Sequence, residues 1–572
     1  MVDRASIVGA LREIASLLSL RGGSKFKVRA FERGARALEA SRAPLDQLVA
    51  EGRLRELPGV GAALAAQIEE LFRTGRSELL ESLREGLPSG VLELSQISGV
   101  GLHALRTLHD ELGVATVEDL KAAAREGRLR HARGFGTKKE EKLLRAIERY
   151  ETTAPMITLA DGLRRSESLQ QELESRFGRG MVHVGGPLRR AAEVFDVLVF
   201  VVESAAPAQV LADVATMPRV GSVERPSDDG GRLRLVDGAR LEIVVTSREA
   251  RPTTLAWSIA SDRHWRRLVE RARERGWKLS RGGLYDGRRR LPLGDEHELY
   301  ARLGLAWVPP ELREDEGEIE RAESDEPFVL VEEDDVRGFV HCHTTWSDGK
   351  ADIEQMARAA EARGADFITI TDHSASAHYA NGLDRERLAR QWDEIAAVQE
   401  KVKIRILRGS EVDILADGAL DFADDVLEEL DVVIASIHQR HRLDEAKMTE
   451  RVLRAMRHPL FKIWGHPLGR LVTSRPPIPL RVEEVLDALA ASRGALEING
   501  DPARLDLEPR WVRAARERGI PFVLSVDAHS VTALGNLTYA VKIARRGGVI
   551  AKEVLNARRA DDFLEAVRPS AT

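Results

Sequence analysis

The sequence of 572 residues contains a single cysteine, Cys342. One thiol cannot form an intrachain disulfide, and we therefore expect a reducing compartment. No apolar run approaches the roughly 20 residues that a membrane-spanning helix needs. The first 20 residues place apolar side chains at helical spacing with charges between them, which indicates an amphipathic helix of a folded domain and not a signal peptide. The sequence thus predicts a cytoplasmic protein with no membrane partner.

A strong net charge is also missing, because 86 basic residues nearly balance 92 acidic ones and give a formal charge of −6. The balance is uneven along the chain. Residues 1–150 carry 25 Lys and Arg against 21 Asp and Glu. A mildly basic front part can follow a phosphate backbone although the whole protein is slightly acidic. The length predicts roughly three or four domains.

Four segments differ in their residue patterns. Residues 1–150 indicate consecutive short helices broken by Gly-containing turns, and residues 151–310 mix helices with strand-like runs. Residues 311–335 contain 13 acidic side chains and are predicted to form an exposed linker, because packing so many like charges is costly. In residues 336–572, strands alternate with helices seven times, which is typical of a parallel barrel.

Three segments of the front part share one pattern, Gly-apolar-Gly followed by a helix. Glycine lets the chain turn tightly and brings backbone N–H groups close to an anion at the start of a helix. One copy would be an ordinary helix–helix turn, but three copies favour binding to the phosphates of nucleic acid in any sequence. The predicted DNA-binding glycines are Gly59, Gly61, Gly99, Gly101, Gly134 and Gly136.

Seven hydrophobic runs in the C-terminal part end in side chains that bind metals. Side chains just past the ends of successive parallel strands meet at the mouth of a barrel. Imidazole and carboxylate groups together suit Zn²⁺ or Mn²⁺. One such His would usually be a hydrogen-bonded core residue, but seven strand ends in series predict a metal centre. The candidates are His341, His343, Asp348, His373, Glu411, His438, His466, Glu497, Asn499, Asp527 and His529.

Some of the polar residues near these strand ends have open roles. Glu497 and Asn499 are candidates both for supporting metal ligands and for ordinary packing or capping. His378 and His441 lie beside the ligand motifs and are candidates for substrate contacts. His458 lies outside the pattern and is expected to pack or to face solvent.

Several segments resemble the bacterial family X DNA polymerases that carry a C-terminal PHP (polymerase and histidinol phosphatase) domain. The front part is similar in FKVRAFERGARALEA and the end of the polymerase unit in AWVPPELREDEGEIE, while the PHP part matches in TDHSASAHYANGL, GSEVDILADGALDF and LDVVIASIH. The resemblance covers essentially the whole chain. It implies a multidomain α+β and α/β protein with a helix-hairpin-helix region, a polymerase-β-like palm and thumb, and a distorted (β/α)7 barrel.

The resemblance also implies a set of metal ligands in the barrel, and every position of that set is matched. It implies three ions, Mn²⁺ or Zn²⁺, with Asp348, Glu411 and Asp527 acting in catalysis through them. Clustered divalent ions activate water and screen the charge of a phosphate, which is phosphoester hydrolysis chemistry. The implied groups are His341, His343, Glu411 and Asp527; Asp348, His373 and His529; and Glu411, His438 and His466.

The palm-like segment departs from the family where polymerisation needs carboxylates. Pro187 replaces the Ser of the nucleotide-binding turn, Asp196 alone remains of an Asp-x-Asp pair, and Glu242 occupies the third position. In the family, three carboxylates hold two Mg²⁺ ions. The sequence therefore predicts a degenerate polymerase site, which would need Mg²⁺ only if polymerisation survives. Lyase chemistry is doubtful too, because Ala63 and Gln67 replace the family's lysines and cannot act as amine nucleophiles.

The leading hypothesis is a monomeric, metal-dependent DNA phosphodiesterase, a 3′→5′ exonuclease that acts on gapped or 3′-ended DNA in repair. One alternative is a template-directed gap-filling polymerase that uses Glu193, Asp196 and Glu242 as an altered metal triad. Another is a non-catalytic module in which residues 1–310 bind DNA and recruit the barrel. A small-molecule phosphatase is a fourth interpretation, and the hairpins make it less attractive.

Overall fold

The computed structural model describes most of the chain, namely residues 4–40, 45–88, 90–152, 154–324, 326–439, 443–492 and 494–567. His441 lies outside these residues. Within them, no helix is both long enough and apolar enough to cross a membrane.

The front part is built from short helices, as the sequence predicts. They are α1 (Arg4–Leu20), α2 (Lys25–Ala40), α3 (Leu45–Ala50), α4 (Ala62–Thr74), α5 (Glu78–Arg84), α6 (Val91–Ser95), α7 (Leu102–Leu112), α8 (Val117–Arg125) and α9 (Thr137–Thr152), with 3-10 turns at Arg53–Glu56 and Leu129–His131. Helix α1 buries Ile7, Leu11 and Ile14, which confirms its amphipathic character. The helices pack around two separate apolar clusters, one in each half of this part.

The middle part begins with a five-stranded sheet. The elements of this region are β1 (Ile157–Thr158), α10 (Leu159–Phe177), β2 (Val182–Gly185), α11 (Gly186–Arg189), β3 (Val194–Phe195), β4 (Val197–Glu203), α12 (Pro207–Ala215), β5 (Val220–Ser227), β6 (Gly230–Leu235) and β7 (Arg240–Thr246). Strands β1 and β3 pair with each other, and the other five form the sheet. The strand order is β2-β4-β7-β6-β5, and only β4 and β7 run parallel. Strand β4 lies between β2 and β7 and is buried on both faces, which explains its nearly unbroken apolar sequence.

A second unit follows the sheet and contains a three-stranded antiparallel sheet, β8-β9-β10. It consists of α13 (Arg251–Ile259), α14 (Asp262–Glu274), β8 (Trp277–Ser280), β9 (Gly283–Asp286), β10 (Arg289–Leu291), α15 (Glu296–Arg302), a 3-10 turn (Pro310–Leu312) and α16 (Glu318–Ala322). Leu268, Tyr300 and Ile319 belong to one buried cluster that joins these helices.

The acidic segment 311–335 is not the exposed linker that its composition indicates, because its first half is folded. Ile319 and Ala322 are buried, and the carboxylate of Glu318 lies 2.5 Å from Nδ1 of buried His264. Every acidic side chain between 311 and 323 has a basic partner, so like-charge repulsion is offset. The other pairs are Glu311–Arg545, Glu314–Arg190, Asp315–Arg267, Glu316–Arg263, Glu320–Arg267 and Glu323–Arg271.

The C-terminal part is a seven-stranded parallel barrel. Its strands follow chain order: β11 (Gly338–Phe339), β12 (Phe367–Ile370), β13 (Arg405–Asp413), β14 (Val432–Ser436), β15 (Ile463–Trp464), β16 (Ala495–Asn499) and β17 (Phe522–Ser525). The residues just beyond β11 and β17 close the ring, because the N–H of His343 donates to Ala528 and that of Ala528 donates to His341. The predicted (β/α)7 architecture is confirmed.

Helices surround the barrel and cover the end at which its strands begin. They are α17 (Ile353–Glu361), α18 (Arg385–Gln399), α19 (Asp424–Leu427), α20 (Glu445–Met456), α21 (Val482–Ala491), α22 (Pro509–Glu517), α23 (Leu537–Arg546) and α24 (Ala560–Val567), with 3-10 turns at Glu333–Asp335, His378–Ala380, Ala533–Asn536, Ala551–Glu553 and Leu555–Ala557. Phe563 of α24 stacks on Phe367 of β12, with 4.7 Å between ring centroids. Because apolar side chains fill the end of the barrel at which the strands begin, the end at which the strands finish is left for polar side chains.

Candidate metal centre

The predicted strand-end ligands converge at the carboxyl ends of the barrel strands. His341 and His343 follow β11, and His373 follows β12. Glu411 lies within β13, two residues before the end of that strand. Asp348 lies on the loop after β11. The other ligands follow later strands and are His438, His466, Asp527 and His529. His341, His343 and Glu411 are at most 1% exposed. The structure thus brings together all nine side chains that the resemblance implies.

Glu411 lies at the centre of the cluster. Its Oε1 is 2.7 Å from Nε2 of His466 and 3.1 Å from Nε2 of His438. Its Oε2 is 3.0 Å from Nδ1 of His373 and 3.4 Å from Nε2 of His341. Burial disfavours a charged carboxylate, but the neighbouring imidazoles, His438 first, outweigh burial and hold the pKa of Glu411 well below its usual range.

Asp527 and Asp348 form two further meeting points for imidazoles. Oδ1 of Asp527 is 3.1 Å from Nε2 of His343 and 3.6 Å from Nε2 of His341. Oδ1 of Asp348 is 3.3 Å from Nε2 of His529. Burial opposes the charge on Asp527, yet His341 and its other cationic neighbours keep the pKa of this carboxyl well below its usual range. Both carboxylates are therefore available as anionic ligands near neutral pH.

Several atoms in this cluster are buried and have no hydrogen-bond partner within the described residues. They are His341 Nε2, both ring nitrogens of His343, His373 Nδ1, Glu411 Oε2, His466 Nδ1 and Asp527 Oδ1. Leaving buried polar atoms unpaired costs roughly 1–3 kcal/mol each. Two ligand atoms about 2.1 Å from one tetrahedral ion lie roughly 3.4 Å apart, which matches the separations in this cluster. The side chains fit bound divalent cations.

Three groups of these residues place their ligand atoms within 4.8 Å of one another: His341, His343 and Asp527; His343, Asp348, His373 and His529; and His373, Glu411 and His438. They overlap the three implied groups, with His343 and His373 each shared between two. His466 falls outside these groups, although its Nε2 is hydrogen-bonded to Glu411 at 2.7 Å. A cation between these two residues would replace that hydrogen bond.

A second layer of acceptors orients the imidazole rings. Glu497 accepts a hydrogen bond from Nδ1 of His341 at 2.6 Å, and the backbone N–H of His466 also donates to it. Asp413 lies 2.9 Å from Nδ1 of His438. In each ring, the outer nitrogen is bonded to a carboxylate and Nε2 faces the cluster, so loss of the Nε2 proton would leave a lone pair for a metal ion. Of the two roles left open for Glu497, the geometry fits support of the ligands.

Sequence reasoning missed Asp372 and Asp413, which stabilise the ligand loops. Asp372 accepts hydrogen bonds from the N–H of Thr344 at 2.8 Å and from its hydroxyl at 2.6 Å. It thereby links the loop after β11 to the residue before His373. Both acids lie within two positions of a predicted ligand, in TDHS and in SEVD. That adjacency was the available signal, because a carboxylate beside a ligand is a common orienting partner.

Two of the candidate ligands have strained backbone. His466 has φ of 23° and Asp527 has φ of 49°. Residues other than glycine rarely adopt these values, which cost about 1–3 kcal/mol each and persist where surrounding contacts enforce them. The barrel therefore holds both side chains in positions that an unstrained strand end would not give.

The three glycine hairpins of the front part have one common geometry. In each, the N–H of the apolar residue between the glycines donates to the carbonyl three residues earlier, at 3.0, 3.0 and 2.9 Å for Val60, Val100 and Phe135. The first glycine has positive φ, from 80° to 94°. Gly61 and Gly101 precede α4 and α7 without a side-chain cap, which leaves the first N–H groups of those helices exposed for an anion.

Four family models match parts of this architecture. Residues 3–77 match a helix-hairpin-helix domain, 91–149 a SAM-like helix-hairpin-helix tandem, 254–314 a DNA polymerase beta thumb and 340–501 a PHP domain. The chain is 34% identical to the protein named DNA polymerase/3'-5' exonuclease PolX of Bacillus subtilis (strain 168), over 98% of both chains. The chain belongs to the PHP-containing family X DNA polymerases.

The barrel of this family X polymerase also has stand-alone relatives. It is 30% identical to the protein named Probable phosphatase Teth514_1060 of Thermoanaerobacter sp. (strain X514), over 38% of this chain and 88% of the relative. A Shewanella sp. (strain MR-4) protein named Probable phosphatase Shewmr4_2619 is 28% identical over 36% of this chain and 80% of its own length. A PHP domain implies binding of divalent metal ions, and the clustered side chains fit such ions.

The palm of this family X polymerase lacks a free carboxylate cluster within the described residues. Asp196 pairs with Arg240 at 3.3 Å, and Glu242 pairs with Arg232 at 2.7 Å. The described groups of three or more candidate ligands all lie in the barrel. Both of these carboxylates thus have a guanidinium group as their neighbour.

Neighbouring residues of the palm and of the lyase-like region have structural partners. Arg190 donates to Glu314 at 2.8 Å and to the carbonyl of Ile259 at 2.5 Å, so it ties the palm to the thumb. Gln67 accepts a hydrogen bond from the hydroxyl of Ser77 and donates to Glu70. These contacts show side chains engaged in packing the fold.

Proposed function

We propose that the chain is a metal-dependent DNA phosphodiesterase that removes nucleotides from 3′ ends during repair. The observation that carries this proposal is the set of buried, unpaired imidazole and carboxylate atoms at the barrel mouth. Such atoms are costly in the absence of cations and are suited to holding them. Family membership supports DNA as the substrate, since the Bacillus subtilis relative is named as a polymerase and a 3'-5' exonuclease.

Three divalent ions, Mn²⁺ or Zn²⁺, would supply Lewis-acid charge for the phosphate and for an attacking water. In the arrangement we propose, His341, His343 and Asp527 hold one ion. Asp348, His373 and His529 hold a second, and Glu411 with His438 and a reoriented His466 holds the third. Asp348, Glu411 and Asp527 supply negative charge that offsets part of the charge of the ions, because all three keep low pKa values in this setting.

The front part would hold the DNA. The exposed N–H groups beside Gly61 and Gly101 can bind backbone phosphates without reading the sequence. We therefore assign residues 1–150 to DNA binding, 151–310 to a polymerase-like scaffold and 336–572 to hydrolysis. Paired carboxylates in the palm support a scaffold whose polymerase chemistry is weakened or lost.

The test is a nuclease assay on 5′-labelled single-stranded and gapped DNA with Mn²⁺. Wild type should shorten the DNA stepwise from its 3′ end, and a His341→Ala/His343→Ala double variant should be inactive. His458→Ala is the matched control, because this histidine pairs with Asp424 far from the ligand pattern and should be dispensable. An inert wild type, or a fully active double variant, would refute the proposal.

Template-directed gap filling is the second candidate, favoured by the palm and thumb scaffold and by the name of the Bacillus subtilis relative. It would require Glu193, Asp196 and Glu242 to exchange their arginine partners for Mg²⁺. Primer extension across a one-nucleotide gap distinguishes the two candidates. Incorporation that is abolished by Asp196→Ala would establish polymerisation, and DNA binding without any turnover would instead indicate the non-catalytic module.

A further inference from the structure

An exposed aromatic ring lies beside the metal-ligand cluster. Tyr379 is 67% exposed, yet its ring centroid is 6.1 Å from that of His373 and 6.2 Å from that of His438. A ring in this position offers a flat apolar face to a ligand that enters the polar cluster.

The loop that carries Tyr379 is anchored on both sides. The hydroxyl of Ser376 donates to Asp413 at 2.8 Å, and the same carboxylate orients His438. After the turn, the N–H of Leu383 donates to the carbonyl of His373 at 2.8 Å, and Ala377 and Ala380 are buried. These contacts therefore hold the solvent-exposed Tyr379 ring beside the metal-ligand cluster.

Two arginines lie on other loops at the same mouth. Arg504, on the loop after β16, has its Nε 3.3 Å from Oδ2 of Asp527, which leaves the forked end of its guanidinium for a ligand. Arg475 lies on the loop after β15, and its buried Nε has no hydrogen-bond partner in the described part of the chain. The two loops are joined, because the N–H of Val472 donates to Ala503 at 2.8 Å.

The two guanidinium groups are close enough to affect each other. Burial lowers the pKa of Arg475, and the positive charge of Arg504 lowers it further. Two neighbouring cations, one with an unpaired buried donor, are stabilised by an anion between them, and Arg is well suited to a phosphate.

We infer that Tyr379, Arg475 and Arg504 form a nucleotide-binding rim around the metal centre. In this arrangement the Tyr379 ring stacks on the 3′-terminal base, and the two arginines bind the phosphate that leads into the cluster. The inference rests on the proposed function and adds its substrate class: a terminal nucleotide with a base, in preference to a bare phosphate ester. Stacking accepts any base, because every base has a π-face.

The test compares two 5′-labelled oligonucleotides that differ at the 3′ end, one with an ordinary terminal nucleotide and one with an abasic tetrahydrofuran residue. Wild type should have a KM on the order of 10-fold higher for the abasic end, as expected for the loss of one stacked base. Tyr379→Ala should show equal KM values for the two ends. Tyr379→Phe keeps the ring and should keep the discrimination.

Arginine variants test the phosphate contact separately. Arg475→Ala should raise KM by a similar factor for both oligonucleotides, because a phosphate contact is blind to the base. Arg457→Ala removes a 70%-exposed guanidinium elsewhere on the barrel and should match wild type. A Tyr379→Ala variant that still discriminates tenfold would overturn the inference, as would a wild type that cleaves both ends equally. A wild type that cleaves neither end would instead reject the proposed function.

Discussion

Arg470, on the loop after β15, forms a buried ion pair with Glu193 of the palm. Its Nη1 lies 3.4 Å from one oxygen of Glu193 and its Nη2 contacts the other, while Glu508 is a further acidic neighbour at 3.6 Å. Glu193 is thereby turned towards the barrel. The side chains are 8% and 17% exposed, so both charges are shielded from water. The pair links the polymerase-like part directly to a loop of the candidate active site.

Glu193→Ala should destabilise the protein by about 3 kcal/mol, because it leaves the buried Arg470 guanidinium with only the more distant Glu508 as an acidic neighbour. The measurement is denaturant unfolding followed by fluorescence. Glu316→Ala is the matched control, since Glu316 pairs with Arg263 on the surface and should cost at most about 1 kcal/mol. Equal losses in the two variants would contradict a structural role for the buried pair.

Glu497→Gln should lower metal affinity and nuclease activity by roughly 10–100-fold, because an amide orients His341 less firmly and lowers its basicity. Metal content after gel filtration and the rate of DNA shortening are both measured. Ser525→Ala removes a hydroxyl that donates to the same carboxylate and should have a smaller effect. Unchanged metal content in Glu497→Gln would show that this residue has only a packing role.

Removal of divalent ions should lower the thermal stability of the barrel. Cations that bind the folded cluster stabilise it by mass action, and without them its buried polar atoms stay unpaired. The melting temperature should fall in EDTA and recover when Mn²⁺ is added back. In the His341→Ala/His343→Ala variant this difference should shrink; a wild type insensitive to EDTA would argue against bound metal.

His264 should make the thumb less stable in acid. Its Nδ1 lies 2.5 Å from Glu318 and its Nε2 lies 2.7 Å from the hydroxyl of Tyr300, in a fully buried position. Burial lowers the pKa of His264 below 6.5, although Glu318 opposes the shift. The unfolded chain therefore takes up the proton more readily, and the free energy of local unfolding falls as pH drops below 6.5.

Hydrogen exchange over α14 measures this effect. Protection, corrected for the intrinsic exchange rate, should be lower at pH 5.5 than at pH 7.5 in wild type. His264→Gln is neutral at both pH values and should lose most of the difference. The same pH dependence in the variant would assign it to another group.

Gly101→Val and Gly99→Ala should affect the second hairpin differently. A Cβ at Gly101 meets open space and its φ is −86°, so valine should cost at most about 1 kcal/mol as a poorer N-cap residue while its side chain blocks a phosphate. Roughly 10-fold weaker DNA binding is expected, in line with a lost charge-assisted contact of about 1.4 kcal/mol. Gly99 has φ of 94°, so alanine there should instead lower the melting temperature. Filter binding and thermal denaturation separate the two outcomes.

The sequence allowed the barrel and its strand-end residues to be predicted, because the alternation of strands and helices determines which strand ends lie next to one another. It could not show that His343 and His373 are shared between groups, since that depends on ring orientation within the cluster. Composition also misled for residues 311–323. Their partners, such as Arg267 and Arg545, lie far away in the chain, and a count of local charge cannot include them.

The paired palm carboxylates also bear on how a metal ion could reach them. Asp196, Glu242 and Glu193 are each bound to an arginine. A two-metal centre in the palm would therefore have to displace three guanidinium groups. One of them, Arg470, belongs to a barrel loop, so access to Glu193 depends on the position of that loop as well as on the palm itself.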